Sequence, residues 1–260
     1  MPKVTAAQRK LYGKKRDRAV NWHRIEYQGA MGSCQGNDLA SCLECCYYQK
    51  TGDKIQFSRI FAYRETQKID GIRGDQGSTI SGGVKLARET GLPLETTVPY
   101  PNRYPSRFQP SQAAYDEAAK HKIRSHVRID SPQQARDWIL TNMGAVTLGI
   151  SWPVRLSSGA VVKSFRGGGG GGHAIAILDY YQAKEKINPF GEDVFVVANS
   201  HGKNYGDHGW FYITRNAFSQ MLSHRWTAAF GVSDMTTPKP RVFNPKKQNF
   251  IGYEKGKKYR

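Results

Sequence analysis

Leu39, Cys42, Leu43, Cys46 and Tyr47 fall three or four residues apart and form one apolar stripe, the spacing of an amphipathic helix. The stripe begins just after Cys34, and Thr51-Gly52 stops it as a helix end requires. Residues 79–91 predict a second helix, closed by Gly91. Pro93, Pro99, Pro101, Pro105 and Pro110 then mark a long irregular connection. Short helices are predicted over 111–122 and over 131–142, the latter with Ser131 as N-cap and Pro132 in its first turn. From Ala145 the pattern changes. Residues 145–150, 174–180, 194–198 and 209–213 are apolar runs separated by turn residues, which predict strands. The chain thus divides near residue 127 into a helical half and a β half, an α+β organisation. A cleft between such halves is a natural place for a site drawn from both. No internal repeat is present, and the single low-complexity run is six glycines at 167–172.

Composition adds exclusions. With 260 residues, 38% of them hydrophobic, the chain has ample length for a core. No stretch approaches the length of a membrane span, so no membrane partner is expected. The N-terminus is basic but no apolar segment follows it, so no secretion signal is read. Cys34, Cys42, Cys45 and Cys46 all lie within thirteen residues, too close to staple a long loop. That clustering suits a reducing compartment, cytoplasmic or within a virus particle. Cys42 and Cys45 form a C-x-x-C pair, but no second ligand pair has metal-site spacing, so no metal is expected. Cys42 and Cys46 read most simply as core.

The net charge of +18 is unevenly placed. Residues 1–27 carry +6, residues 235–260 carry +7, and the 207 residues between carry +5. The ends are basic arms. Such arms either contact an acidic partner, nucleic acid or a protein assembly, or are simply solvated tails.

Cys34 ends the stretch Gln28-Gly29-Ala30-Met31-Gly32-Ser33-Cys34, where glycines run into the first helix. A thiol there faces unpaired N–H groups and the positive end of the helix dipole, which predicts a lowered pKa. A cysteine nucleophile needs a base and an orienter for that base. His173 follows six glycines, which would let a substrate backbone approach, and opens an apolar strand. Asn199 ends another strand, where its amide oxygen would fix the His173 ring. Gln28, with the Cys34 backbone N–H, would form an oxyanion hole. The glycine run is not a phosphate loop, because no Gly-Lys-Ser/Thr follows it.

These blocks resemble the active-site segments of papain-like cysteine peptidases: Gln28 to Cys34, then Gly171-Gly172-His173-Ala174-Ile175, then Asn199-Ser200-His201-Gly202 through Gly209-Trp210-Phe211. Asp75-Gln76-Gly77-Ser78-Thr79 through Val98-Pro99-Tyr100 is similar to a cleft-lining segment of the bacterial branch. The resemblance spans about residues 20 to 232 and lies closer to the bacterial or viral branch. It implies a two-lobed fold: a helical left lobe with the nucleophile helix, and an antiparallel, β-barrel-like right lobe. Together with the charge distribution it gives a basic N-terminal arm over 1–27, lobes over 28–126 and 127–234, and a basic tail over 235–260. It also implies a thiol peptidase acting on polypeptide through an acyl-enzyme, without cofactor. Gln28 would hold the oxyanion, Cys34 attack, His173 act as base and Asn199 orient it. Gly77, with Ser78 and Gly172, would bind substrate, the Gly77 backbone pairing with an extended strand.

The chain departs from the family's pattern at informative places. Gln35 stands where a tryptophan usually follows the nucleophile, and Met31 where many members have a disulfide cysteine. His201 replaces the tryptophan that usually shields the His–Asn bond, which predicts a wetter bond and lower turnover. Only 27 residues precede Gln28, too few for an inhibitory prosegment, so control of activity is expected to come from elsewhere. The alternative reading is a structural or assembly protein, such as a virion component, docked through its basic arms on a peptidase scaffold with weak or no activity.

Overall fold

Residues 17–141 and 144–236 are described by the structure, a computed structural model. The short helix α1 (Ala19–Trp22) leads to the central helix α2 (Cys34–Thr51), then α3 (Arg59–Asp70), α4 (Ile80–Glu89) and α5 (Gln112–Ala118). Strand β1 (Ile123–Arg128), helix α6 (Pro132–Leu140), β2 (Ala145–Ser151), β3 (Val161–Val162), β4 (Gly172–Tyr181), β5 (Val194–Ala198), β6 (Trp210–Thr214), helix α7 (Arg215–Leu222) and β7 (Ala228–Met235) follow. No helix among the described residues is long and apolar enough to cross a membrane.

Helix α2 runs over the residues its apolar stripe predicts, and Gly52 ends it in the left-handed conformation at φ 80°. It is buried on all sides from Gln35 to Tyr47, as befits a helix enclosed by neighbours. Helix α3 crosses it so closely that a Cβ on Gly36 would lie 2.5 Å from the Arg59 carbonyl oxygen. On the other side Cys42, Cys45 and Cys46 pack into a cluster with Ala176, Leu178, Val196 and Val232 of the sheet.

That sheet has seven strands in the order β1-β7-β2-β4-β5-β6-β3. Every pairing is antiparallel except β3 with β6. On β4, Ala176 and Leu178 join the cluster under α2, while Ile175 and Ile177 join the cluster with Trp138 and Ile139 of α6 and Phe218 of α7. Successive strand residues point to opposite faces. With both faces covered, the strand carries an unbroken apolar run rather than an alternating one.

The boundary expected near residue 127 falls inside β1, a polar edge strand whose residues Arg124 to His126 are exposed. Its partner β7 closes the sheet from the far end of the chain, so the β half begins earlier than the apolar runs suggest. The N-terminal arm also needs correcting. Residues 17–27 are packed on the body: Ala19 is buried, and Arg18 pairs with Asp179 at 3.2 Å and Glu185 at 2.6 Å. At the other end Met235 completes β7 and is buried. The rest of both basic arms, residues 1–16 and 237–260, lies outside the described residues.

A buried charge cluster ties the segment before Gln28 to the helical half. The Arg59 guanidinium reaches Glu26 at 2.7 Å and Glu95 at 2.7 Å, and lies 4.2 Å over the Tyr100 ring. Each charge here has a hydrogen-bonded counterion, the condition under which buried ions are tolerated.

Candidate active site

The fold brings together residues far apart in sequence. Cys34 opens α2, behind a tight loop whose parts are cross-linked. The Ser33 hydroxyl bonds the Tyr100 hydroxyl at 2.5 Å, and Tyr100 donates to the Gln28 carbonyl at 3.0 Å. Gly32 donates its N–H to Asp75 Oδ1 at 2.9 Å. The Pro-Tyr end of the irregular connection therefore buttresses the nucleophile loop.

His173 enters from the first turn of the sheet's β4 strand, and its Nε2 lies 2.8 Å from Asn199 Oδ1. The Ser200 N–H donates to the same oxygen at 3.0 Å. Two donors converging there fix the ring tautomer: Nε2 carries the hydrogen and Nδ1 holds the lone pair. The Ala174 backbone N–H, next along β4, faces the Cys34 sulfur together with those of Gln35 and Cys34 itself. The thiol and the imidazole strand thus meet at the head of α2.

Burial sets the protonation state of the pair. It pushes the Cys34 thiol up despite those backbone donors, with the Asp38 carboxyl acting in the same direction. It pushes the His173 imidazole down to about 4 against the help of Asn199. The lowered thiol pKa expected from the helix end is overturned, because desolvation exceeds the dipole's contribution. Burial therefore favours the uncharged form of each, thiol and imidazole.

Gln28 lies across the cleft on a short ladder. Its N–H donates to the Ser200 carbonyl at 2.8 Å, Gly202 donates to the Glu26 carbonyl at 3.0 Å, and Tyr27 bridges to His201. Its side chain is fixed at both ends, Nε2 donating to the Met31 carbonyl at 2.8 Å and Oε1 accepting from the Ser200 hydroxyl at 2.5 Å. One amide hydrogen is engaged with Met31, and the other is left for an incoming oxygen.

Gly77 does not match its expected role. Its N–H donates to the Tyr63 hydroxyl at 3.1 Å and its carbonyl accepts from Gln67 Nε2 at 3.0 Å. Both backbone groups are engaged internally. The Ser78 hydroxyl donates to Gln35 Oε1 at 2.8 Å. Gln35, at the usual tryptophan position, is buried against Gly83 of α4 and connects α2 to Ser78. Gly172 opens β4 with free space where a Cβ would stand.

The wetter His–Asn bond expected from His201 is also overturned. His173 is 7% exposed and Asn199 3%. His201 stacks on His173 at 4.6 Å, and Trp152, from the end of β2, packs at 4.4 Å against the same imidazole. Nothing in the sequence reading pointed to Trp152. The signal was its place just after the β2 strand that pairs with the His173 strand, Ile150 opposite His173. His208 is exposed. Cys42, Cys45 and Cys46 are buried, burial raising each thiol's pKa, that of Cys46 to about 12.

The pattern described as Papain family cysteine protease matches residues 13–229. The chain belongs to the papain family of cysteine proteases. Among solved structures it is similar to xylellain, a cysteine protease from Xylella fastidiosa, at 22% identity over 81% of this chain and 82% of that one, with a TM-score of 0.61. The Carica candamarcensis cysteine protease CMS1MS2 in complex with E-64 matches at 17% identity over 82% and 93%, with a TM-score of 0.58. The protease and lectin-like domains of Cwp84, a surface-layer-associated protein of Clostridium difficile, match at 15% over 86% and 52%, with a TM-score of 0.66. A comparison with curated proteins found no match. At these identities the likeness is one of fold, the papain-like α+β arrangement, and bacterial members stand among the neighbours. Proteases of this family act on polypeptides.

Proposed function

We propose that this papain-family protein cleaves peptide bonds with Cys34 as nucleophile, His173 as proton carrier, Asn199 as orienter and Gln28 as oxyanion donor. The observation that carries this reading is the His173–Asn199 bond beside a Cys34 sulfur faced by Ala174 N–H. The Cys34 proton passes to His173 Nδ1 as the sulfur bonds to the carbonyl carbon, and the carbonyl π pair becomes an oxyanion. The free Gln28 amide hydrogen and the Cys34 N–H receive that oxyanion. Collapse expels the amine, which takes the proton from His173. Water then hydrolyses the thioester by the reverse proton path. The substrate backbone runs along Ser78 on one side and Gly172 on the other.

Cys34 is the one partly exposed thiol among the described residues, so iodoacetamide near neutral pH should modify it alone. Cys34→Ala and His173→Ala should each lower peptide hydrolysis by roughly 10³-fold or more, and Asn199→Ala by about 10-fold. Labelling of Cys45 at an equal rate, or a His208→Ala loss as large as that of His173→Ala, would refute this assignment.

A further inference from the structure

Trp152 touches the base and the ring stacked upon it at once. Its ring centroid lies 4.4 Å from that of His173, with planes 54° apart, and 5.3 Å edge-on from that of His201. The side chain is half-buried, whereas His173 is nearly closed off. Trp152 therefore covers the His173 ring whose Nε2 bonds Asn199. Its backbone is clamped by the glycine run: Trp152 N–H donates to the Gly171 carbonyl at 2.8 Å, and Gly170 N–H donates to the Trp152 carbonyl at 3.0 Å. A Cβ at Gly168 would fall 2.4 Å from the Trp152 carbonyl. The run thus serves two purposes: Gly168 lets the loop close over Trp152, while Gly171 and Gly172 keep the cleft side open.

We propose that Trp152 is the positioning residue that keeps water from the His173–Asn199 hydrogen bond. The inference rests on the catalytic reading given above. A hydrogen bond in a dry setting holds its geometry better. The titratable neighbours are few. His201 opposes a charge on His173, while Tyr205 lies edge-on to His201 and Tyr27 bridges to it. Burial lowers the His201 imidazole as well, and the Cys34 sulfur faces the Ala174 N–H next to His173.

The test compares kcat, KM and the pH profile of peptide hydrolysis for Trp152→Ala, Trp152→Phe and Trp152→Ala combined with His201→Trp. Trp152→Ala should lower kcat about 10-fold with KM within about 2-fold, and should move the acid limb up as water reaches the His173 imidazole, whose charged form burial disfavours. Adding His201→Trp should restore much of both, because it returns an indole to the same ring. Trp152→Phe should stay near the parent, and it carries the test against Trp152→Leu if the alanine variant does not fold. An unchanged kcat and pH profile would overturn the proposal, as would a change confined to KM, which would make Trp152 a substrate contact. Cys34→Ala and His173→Ala run alongside: activity surviving in them sinks the catalytic reading, whereas activity lost in them but intact in Trp152→Ala sinks only this inference.

Discussion

Asp38 lies one turn beyond Cys34 on α2, its carboxyl enclosed between the Thr147 hydroxyl and the Cys42 thiol. Burial raises its pKa well above the usual carboxylate range, so the folded chain holds a proton there that the unfolded chain releases at ordinary pH. The stability this contributes is full below the unfolded value of about 3.9 and is lost as pH rises toward the folded one, at up to about 1.4 kcal/mol per pH unit. Asp38→Asn carries no such proton. Its stability relative to the parent should therefore improve from pH 5 to pH 8 in urea unfolding, and a constant difference would mean that Asp38 is ionised in the fold. Such residues show why the site was only partly legible in the sequence. Cys34, His173 and Asn199 sit at element ends flanked by recognisable turn residues, and the fold joins His173 to Asn199 by a hydrogen bond. Asp38 and Trp152 act through contacts with strands distant in sequence. The partners of the Gly77 backbone, Tyr63 and Gln67, lie on a helix the apolar pattern did not reveal.

That helix, α3, bunches Ile60, Phe61 and Tyr63 in its first turn and then turns polar, so it leaves no stripe. Its ends were nevertheless marked, with Ser58 capping the Phe61 N–H at 3.2 Å and Gly71 left-handed at φ 71°. The central strands β2, β4 and β5 were legible because both their faces are buried. The edge strand β1 and the two-residue β3 were not, since neither carries an apolar run of its own. The crossing of α2 and α3 turns on Gly36, where a Cβ would meet backbone and the Tyr63 Cβ rather than a flexible side-chain tip. Gly36→Ala should therefore destabilise the protein by about 1–3 kcal/mol despite the better helix propensity of alanine. The urea midpoint measures this, and an unchanged or raised midpoint would show that the helices can separate without loss.

At the scale of the whole molecule, the division into a helical and a β half was visible as a change of hydrophobic period. The way the halves are fastened at the cleft was not, because ladder bonds between residues 26–28 and 200–202 are backbone contacts that side-chain patterning does not encode. That fastening has a consequence for how the protein fails. Gln28, the proposed oxyanion donor, rides on one rung, whose far end is Ser200 beside Asn199, and the rungs are two amide bonds at 2.8 and 3.0 Å. The large apolar clusters lie elsewhere, under and over the sheet. A gape of a few ångströms at the cleft mouth would disarm the enzyme while leaving both cores intact, and regions held by few buried apolar contacts open at lower cost than the global transition. Peptide hydrolysis should therefore vanish at a lower urea concentration than the loss of tryptophan fluorescence and far-UV ellipticity; coincident curves would mean that the mouth and the cores yield as one. A brittle trigger on a durable frame makes gentle denaturation a reversible off switch, with no need to dismantle the fold.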